Sequence, residues 1–131
     1  MSDQPVVCVD LDGVLNDFDG WKAPEFFHPP RPGAREFLAD LNALGYAVVI
    51  FTVRWAPWVE DWLKRHALDT YVSRVTNEKC AAHVYVDDRA VCFTGDYAAT
   101  LDRIARFRAH WEADPGARHG AEEPQPPVEH D

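Results

Sequence analysis

Asp10 and Asp12 stand two residues apart, just after the apolar run at 6–9 and just before Gly13. In extended backbone, residues i and i+2 project to the same side, so the two carboxylates converge. Gly13 lets the chain turn sharply beyond them. Carboxylates held that close disfavour each other's ionisation unless a cation lies between them. The pair therefore reads as a metal site, an acid/base pair, or both. Three more polar positions follow apolar runs in the same manner or precede one. Thr52 follows 46–51, Lys79 precedes 83–86, and Asp87 and Asp88 follow that last run. Singly, each has an ordinary role: a helix cap for Thr52, a solvated cation for Lys79, a turn for the acidic pair.

Jointly they describe phosphoryl chemistry. A divalent cation among Asp10, Asp12 and the Asp87/Asp88 pair has only oxygen donors, which suits Mg²⁺. One aspartate attacks phosphorus as a carboxylate nucleophile. The second protonates the leaving oxygen and later activates water. The Thr52 hydroxyl and the Lys79 ammonium supply a hydrogen bond and a charge to the phosphoryl oxygens.

The elements that must hold these groups alternate between strand and helix. Residues 5–9 and 46–51 read as buried strands, and 46–51 is apolar on both faces, as in a parallel sheet. Phe37, Leu38, Leu41 and Leu44 give a helix over 34–44, ended by Gly45. Pro57 opens a second helix over 57–66, with Trp58, Trp62 and Leu63 on its packing side. Alternation predicts a third strand at 70–75 and a fourth at 83–86, with a short fifth at 91–93. The spacing of Tyr97, Leu101, Ile104, Phe107, Arg108 and Trp111 predicts a last helix over 96–112. Such a pattern is an α/β fold with helices on both faces of a parallel sheet. Ligands of open parallel sheets bind beyond the carboxyl ends of the strands. Asp10, Asp12, Thr52, Asp87 and Asp88 all fall there.

Between the first strand and the first helix, residues 13–33 carry five aromatic or imidazole rings and many prolines, which oppose regular structure. A loop of that length is usually functional and reads as a flap over the site, with a loop folded over a core edge by its own aromatics as the compatible alternative. The chain of 131 residues, 47% apolar, forms one domain over 1–113. The segment 114–131 is acidic and proline-rich, and its composition predicts disorder. The net charge of −9 weakens the case for a bound polyanion. No apolar run approaches the roughly 18 residues of a membrane span. Cys8, Cys80 and Cys92 have no CxxC zinc spacing. They read as free thiols of a reducing, cytoplasmic setting, Cys8 and Cys92 within apolar runs.

The set Asp10-Leu11-Asp12-Gly13-Val14, Thr52, Lys79 and Asp87-Asp88 resembles the four motifs of the haloacid dehalogenase-like phosphohydrolase superfamily, in the same order. The resemblance spans about Val6 to Arg89. It implies a three-layer α/β/α sandwich with a mainly parallel, Rossmann-like sheet. It also implies Asp10 as nucleophile, Asp12 as general acid/base, and Thr52 and Lys79 holding the phosphoryl group. Mg²⁺ would be held by the Asp10 carboxylate, the Asp12 carbonyl and the acidic pair, with Asp88 the direct ligand. An aspartate at position 12 resembles the phosphatase and mutase branches. The gaps at 13–33 and 52–79 leave no room for the large cap domain that many members carry, so the chain resembles the capless type. Capless members often act on large or exposed phosphates or borrow a neighbouring subunit as a lid. The stretch 10–18 and the acidic pair followed by Arg89 also resemble the 5′(3′)-deoxyribonucleotidases.

These readings give a Mg²⁺-dependent phosphatase acting through an aspartyl-phosphate. Its substrate is a nucleotide, a sugar phosphate or a phosphorylated polymer end, with no membrane partner and a monomeric or homo-oligomeric state. A non-catalytic phosphate-sensing or scaffold module and a phosphotransferase are the alternatives. Candidate specificity residues are Asn16, Trp21, Lys22 and His28 on the flap, and Arg54. Arg54 either reaches a second anionic group of the substrate or pairs with a nearby carboxylate. Trp55 is read as a packing residue, with stacking on a base or sugar as the alternative.

Overall fold

The computed structural model describes residues 4–112. The predicted 114–131 segment lies outside them. Four strands, β1 (Val6–Val9), β2 (Ala47–Phe51), β3 (Arg74–Thr76) and β4 (Val84–Val86), form one sheet. Its order is β3-β2-β1-β4, and every neighbouring pair is parallel. Three helices accompany it: α1 (Ala34–Ala43), α2 (Ala56–Arg65) and α3 (Tyr97–Ala105). This is the parallel α/β arrangement that the alternation predicted, without a large cap.

Local chemistry sets the helix ends. Gly33, at φ 91°, turns the chain into α1, and Gly45, at φ 97°, turns it out beyond Leu44. Pro57 occupies the first turn of α2, where a missing N–H costs nothing. The Asp96 side chain caps α3 by accepting from the Ala99 N–H at 3.0 Å.

The two faces of the sheet are covered differently. Val7, Val9, Val48 and Ile50 join Leu38 of α1 and Val59, Trp62 and Leu63 of α2 in one buried cluster. Trp62 is thus the core residue its position predicted. On the opposite face, Cys8 and Val49 are buried, with Tyr85 and Arg74 beside them in register. Cys80 of the crossover 77–83, a segment without a helix, lies against Cys8 there. Burial and the neighbouring Cys80 thiol push the Cys8 thiol up to about 11. α3 buries none of its residues.

Several boundaries differ from expectation. Residues 69–71 form a 3₁₀ turn and the third strand starts only at Arg74. Val91-Cys92-Phe93 is not a strand, and Cys92 is exposed rather than a core thiol. α3 ends at Ala105 instead of 112. Trp58 and Trp55 are exposed and meet each other edge-on at 5.3 Å, so neither belongs to the core.

Candidate functional site at the carboxyl ends of the strands

The sheet order places β1 centrally, between β2 and β4. The ladder runs one residue past the strands: the Asp10 N–H donates to the Val86 carbonyl at 2.9 Å, and Thr52 N–H to Thr76 at 3.0 Å. Asp10 therefore lies beside the residues that follow Val86. Carboxylate oxygens of Asp10, Asp87 and Asp88 come within 4.8 Å of one another. Asp12 is not in this trio.

Electrostatics in the trio are unfavourable without a cation. Burial, a hydrogen bond with Asp88 and repulsion from Asp87 and Asp88 push Asp10 from 3.8 up to about 9. The Leu11 N–H, 2.8 Å from Asp10 Oδ1, opposes this only in part. A hard divalent ion with oxygen ligands is the group this donor set fits. Two neighbours stiffen it. Asp87 Oδ1 accepts the Arg89 N–H at 2.7 Å, and Asp88 Oδ2 accepts the Trp111 indole N–H. Gly13 sits against them at φ 85°, and a Cβ there would fall 2.1 Å from Asp88 Oδ2. Glycine is needed both for the turn and for the space.

Asp12 belongs to a second cluster. Arg54 grips it through two bonds, Nε to Oδ2 at 2.8 Å and Nη2 to Oδ1 at 2.9 Å. Asn16 Nδ2 adds a third, to Oδ1 at 3.0 Å. Arg54 is itself buried, stacked between the Trp21 and Phe27 rings, and its Nη1 donates to the Pro24 and Phe26 carbonyls. The ion pair with a carboxylate, one of the two roles read for Arg54, forms here. The same bonds pin the flap 13–33, as does Trp62 Nε1 donating to the His28 carbonyl at 3.1 Å.

The remaining sequence candidates disperse. Asn16 is fully buried, and its Oδ1 accepts the Gly13 and Phe18 N–H groups, so it holds the turn. Lys22 is exposed and pairs with Asp19 at 3.4 Å. His28 is buried, with Nε2 3.0 Å from Asp19 Oδ1 and Nδ1 without a partner. That bond, opposed by burial and aided by Lys22, lowers Asp19 from its ordinary value. Thr52 is buried, and its Oγ1 accepts the Arg54 N–H at 3.1 Å; it does not cap α2, whose cap is Trp55. The Lys79 ammonium lies 5.0 Å from the centre of the Tyr85 ring, on the sheet face opposite α1 and α2.

Three contributors escaped sequence reasoning. Asn77 Nδ2 donates to the Thr52 and Arg54 carbonyls at 2.6 and 2.8 Å, tying the ends of β2 and β3 together. Trp111 reaches Asp88, and His110 Nε2 lies 2.7 Å from the Gly13 carbonyl. Phe18 meets the Trp111 ring edge-on at 4.9 Å, so the flap and residues 106–112 meet over the trio. An asparagine just past a strand end was a visible signal for Asn77. Nothing in the spacing of Trp111 separated it from a helix face.

No family model and no curated protein matches this chain. Among solved structures, the chain is similar to a conserved protein coded by a locus from Bacteroides thetaiotaomicron. The identity is 18%, the TM-score 0.54, and the match covers 79% of this chain and 92% of that one. At that identity the likeness speaks for the fold.

Proposed function

We propose that the protein is a Mg²⁺-dependent phosphomonoester hydrolase with Asp10 as its nucleophile. The observation that carries this reading is the convergence of Asp10, Asp87 and Asp88 at the strand ends, with Asp10 raised to about 9 by burial and by its acidic neighbours. Those three residues would hold the cation, which when bound offsets their repulsion and attracts a phosphate oxygen. The chain's own groups do the rest. An Asp10 oxygen attacks phosphorus and forms the aspartyl-phosphate as the ester bond breaks. The departing oxygen takes a proton from Asp12, which later accepts one from the water that cleaves the acyl-phosphate. Asp12 must first exchange a hydrogen bond from Arg54 or Asn16 for that proton. The Thr52 hydroxyl accepts from the Arg54 N–H and keeps its own hydrogen for a phosphoryl oxygen. Lys79 joins the site only by leaving the Tyr85 ring. Exposed Trp21, Trp55 and Trp58 on the flap and the start of α2 suit a substrate with a flat, apolar portion, such as a nucleotide.

The test is phosphate release from an aryl phosphate and a panel of nucleotides, sugar phosphates and phosphorylated oligonucleotides, with and without Mg²⁺. Turnover is expected to need Mg²⁺ and to fall on the order of 10⁴-fold or more in Asp10→Asn. Turnover that survives that substitution sinks the reading.

The grip of Arg54 on Asp12 and the position of Lys79 favour a second reading, a phosphate-binding module without turnover. Calorimetry would separate the two: tight binding of a phosphorylated ligand with no product supports the second.

A further inference from the structure

Cys8 and Cys80 lie 72 residues apart in sequence, yet their sulfurs are 3.0 Å from each other. They meet on the sheet face that α1 and α2 leave open. Cys8 is buried on β1, whereas Cys80 is half-buried on the crossover 77–83. Cys80 also borders a cavity of about 380 Å³, together with Val6, Val49, Ser73, Arg74 and Ala81. The Tyr85 hydroxyl donates to the Cys80 carbonyl and so fixes the backbone that carries the thiol. Two thiols in contact, one reachable from a cavity with a cationic wall, have the arrangement that thiol–disulfide exchange requires.

We propose that Cys8 and Cys80 form an oxidisable dithiol that closes to an intramolecular disulfide, with a small anionic disulfide as the oxidant. The Cys80 thiolate attacks one sulfur of the oxidant, whose S–S bond breaks. One thiol leaves, taking up a proton, and a mixed disulfide remains on Cys80. The Cys8 sulfur then attacks the Cys80 sulfur, displaces the second thiol and gives up its own proton to it. In sum, two protein thiols are oxidised and one disulfide is reduced to two thiols. The Arg74 guanidinium favours an oxidant bearing carboxylates. The product would tether the crossover that carries Asn77 and Lys79 to β1, the strand that leads into Asp10. The dithiol stands independently of the phosphatase reading.

The test treats the full chain with glutathione disulfide and counts thiols in denaturant. The free thiols are expected to fall from three to one, with a peptide map joining Cys8 to Cys80 and Cys92 still reduced. The count is expected to return to three after dithiothreitol. Cys92→Ser is expected to close the same bridge. Cys80→Ser, an edit outside the core, is expected to abolish it while leaving the fold intact by circular dichroism. A count that stays at three, or a bridge that runs through Cys92 or between chains, overturns the proposal.

Discussion

Asp10 and Asp12 are separated by one residue and face opposite electrostatic worlds. Asp10 looks toward Asp87 and Asp88 and is driven up to about 9. Asp12 looks toward Arg54 and Asn16 and receives three N–H bonds. One group has acids for neighbours and the other has a buried guanidinium and a neutral amide. A strand end with alternating side chains cannot create that contrast alone, because alternation would aim both carboxylates alike. The neighbours create it: β4 brings two more acids on one side of β1, and the turn after β2 brings a buried arginine on the other. By electrostatics alone a carboxyl raised in this way is the acid of such a pair, so the nucleophile role proposed for Asp10 depends on the cation that offsets its repulsion.

Removing Arg54 is the most severe way to break the contrast. The pair is nearly dry, with side-chain exposures of 2% for Arg54 and 13% for Asp12. Arg54→Ala strands a buried carboxylate and releases the flap carbonyls, so urea unfolding is expected to show a loss of about 3–5 kcal/mol. Adding Asp12→Asn to that variant is expected to restore part of it. A loss under about 1 kcal/mol would mean the pair behaves as an exposed one.

A milder probe is pH in the metal-free protein. The folded chain keeps a proton on Asp10 up to about 9, whereas the unfolded chain releases it near 3.8. The folded state binds more protons across that interval, so this contribution is whole below the lower value and is lost as pH rises through the upper. In chelator, the urea midpoint is expected to fall steadily from about pH 5 to 9. Asp10→Asn or excess Mg²⁺ should flatten the curve. A midpoint that rises over this range in chelator counts against the raised Asp10.

The smallest effect sharpens the acidic side alone. Trp111→Phe keeps the ring but loses the N–H that orients Asp88. Mg²⁺ affinity by calorimetry is expected to weaken about tenfold. Unchanged affinity would leave Trp111 as packing against Phe18 only.

The fold was legible where apolar runs were long and bounded. β1, β2, α1 and α2 came within a residue or two because glycine, proline and buried side chains mark their ends. β3 was displaced because Tyr71 and Val72 pack against the core from a 3₁₀ turn, and a short alternating run does not separate a turn from a strand. α3 was overextended because Phe107, Arg108 and Trp111 keep helical spacing although the helix stops at Ala105, and the Trp111 indole serves Asp88 instead of a helix face. In the site, the Asp10–Asp87–Asp88 trio was readable from strand ends. That the Asp12 side chain stays off the cation was implied by the resemblance, but its double bond to Arg54 was not fixed by spacing, since it depends on which way a guanidinium turns 42 residues later. Asn16 read as a substrate contact and proves to be the peg of the turn, because a buried amide binds the nearest backbone.

The tie between His110 and Gly13 spans 97 residues. A ribosome adding roughly 5–20 residues per second would separate the two ends of that tie by about 5–20 s. Through that interval the nascent chain carries Asp10 beside an open turn, with neither the imidazole nor the indole yet made. The acidic cluster therefore gains the Trp111 donor well after Asp10 is made, and a cation arriving earlier would meet a looser cradle than the finished one.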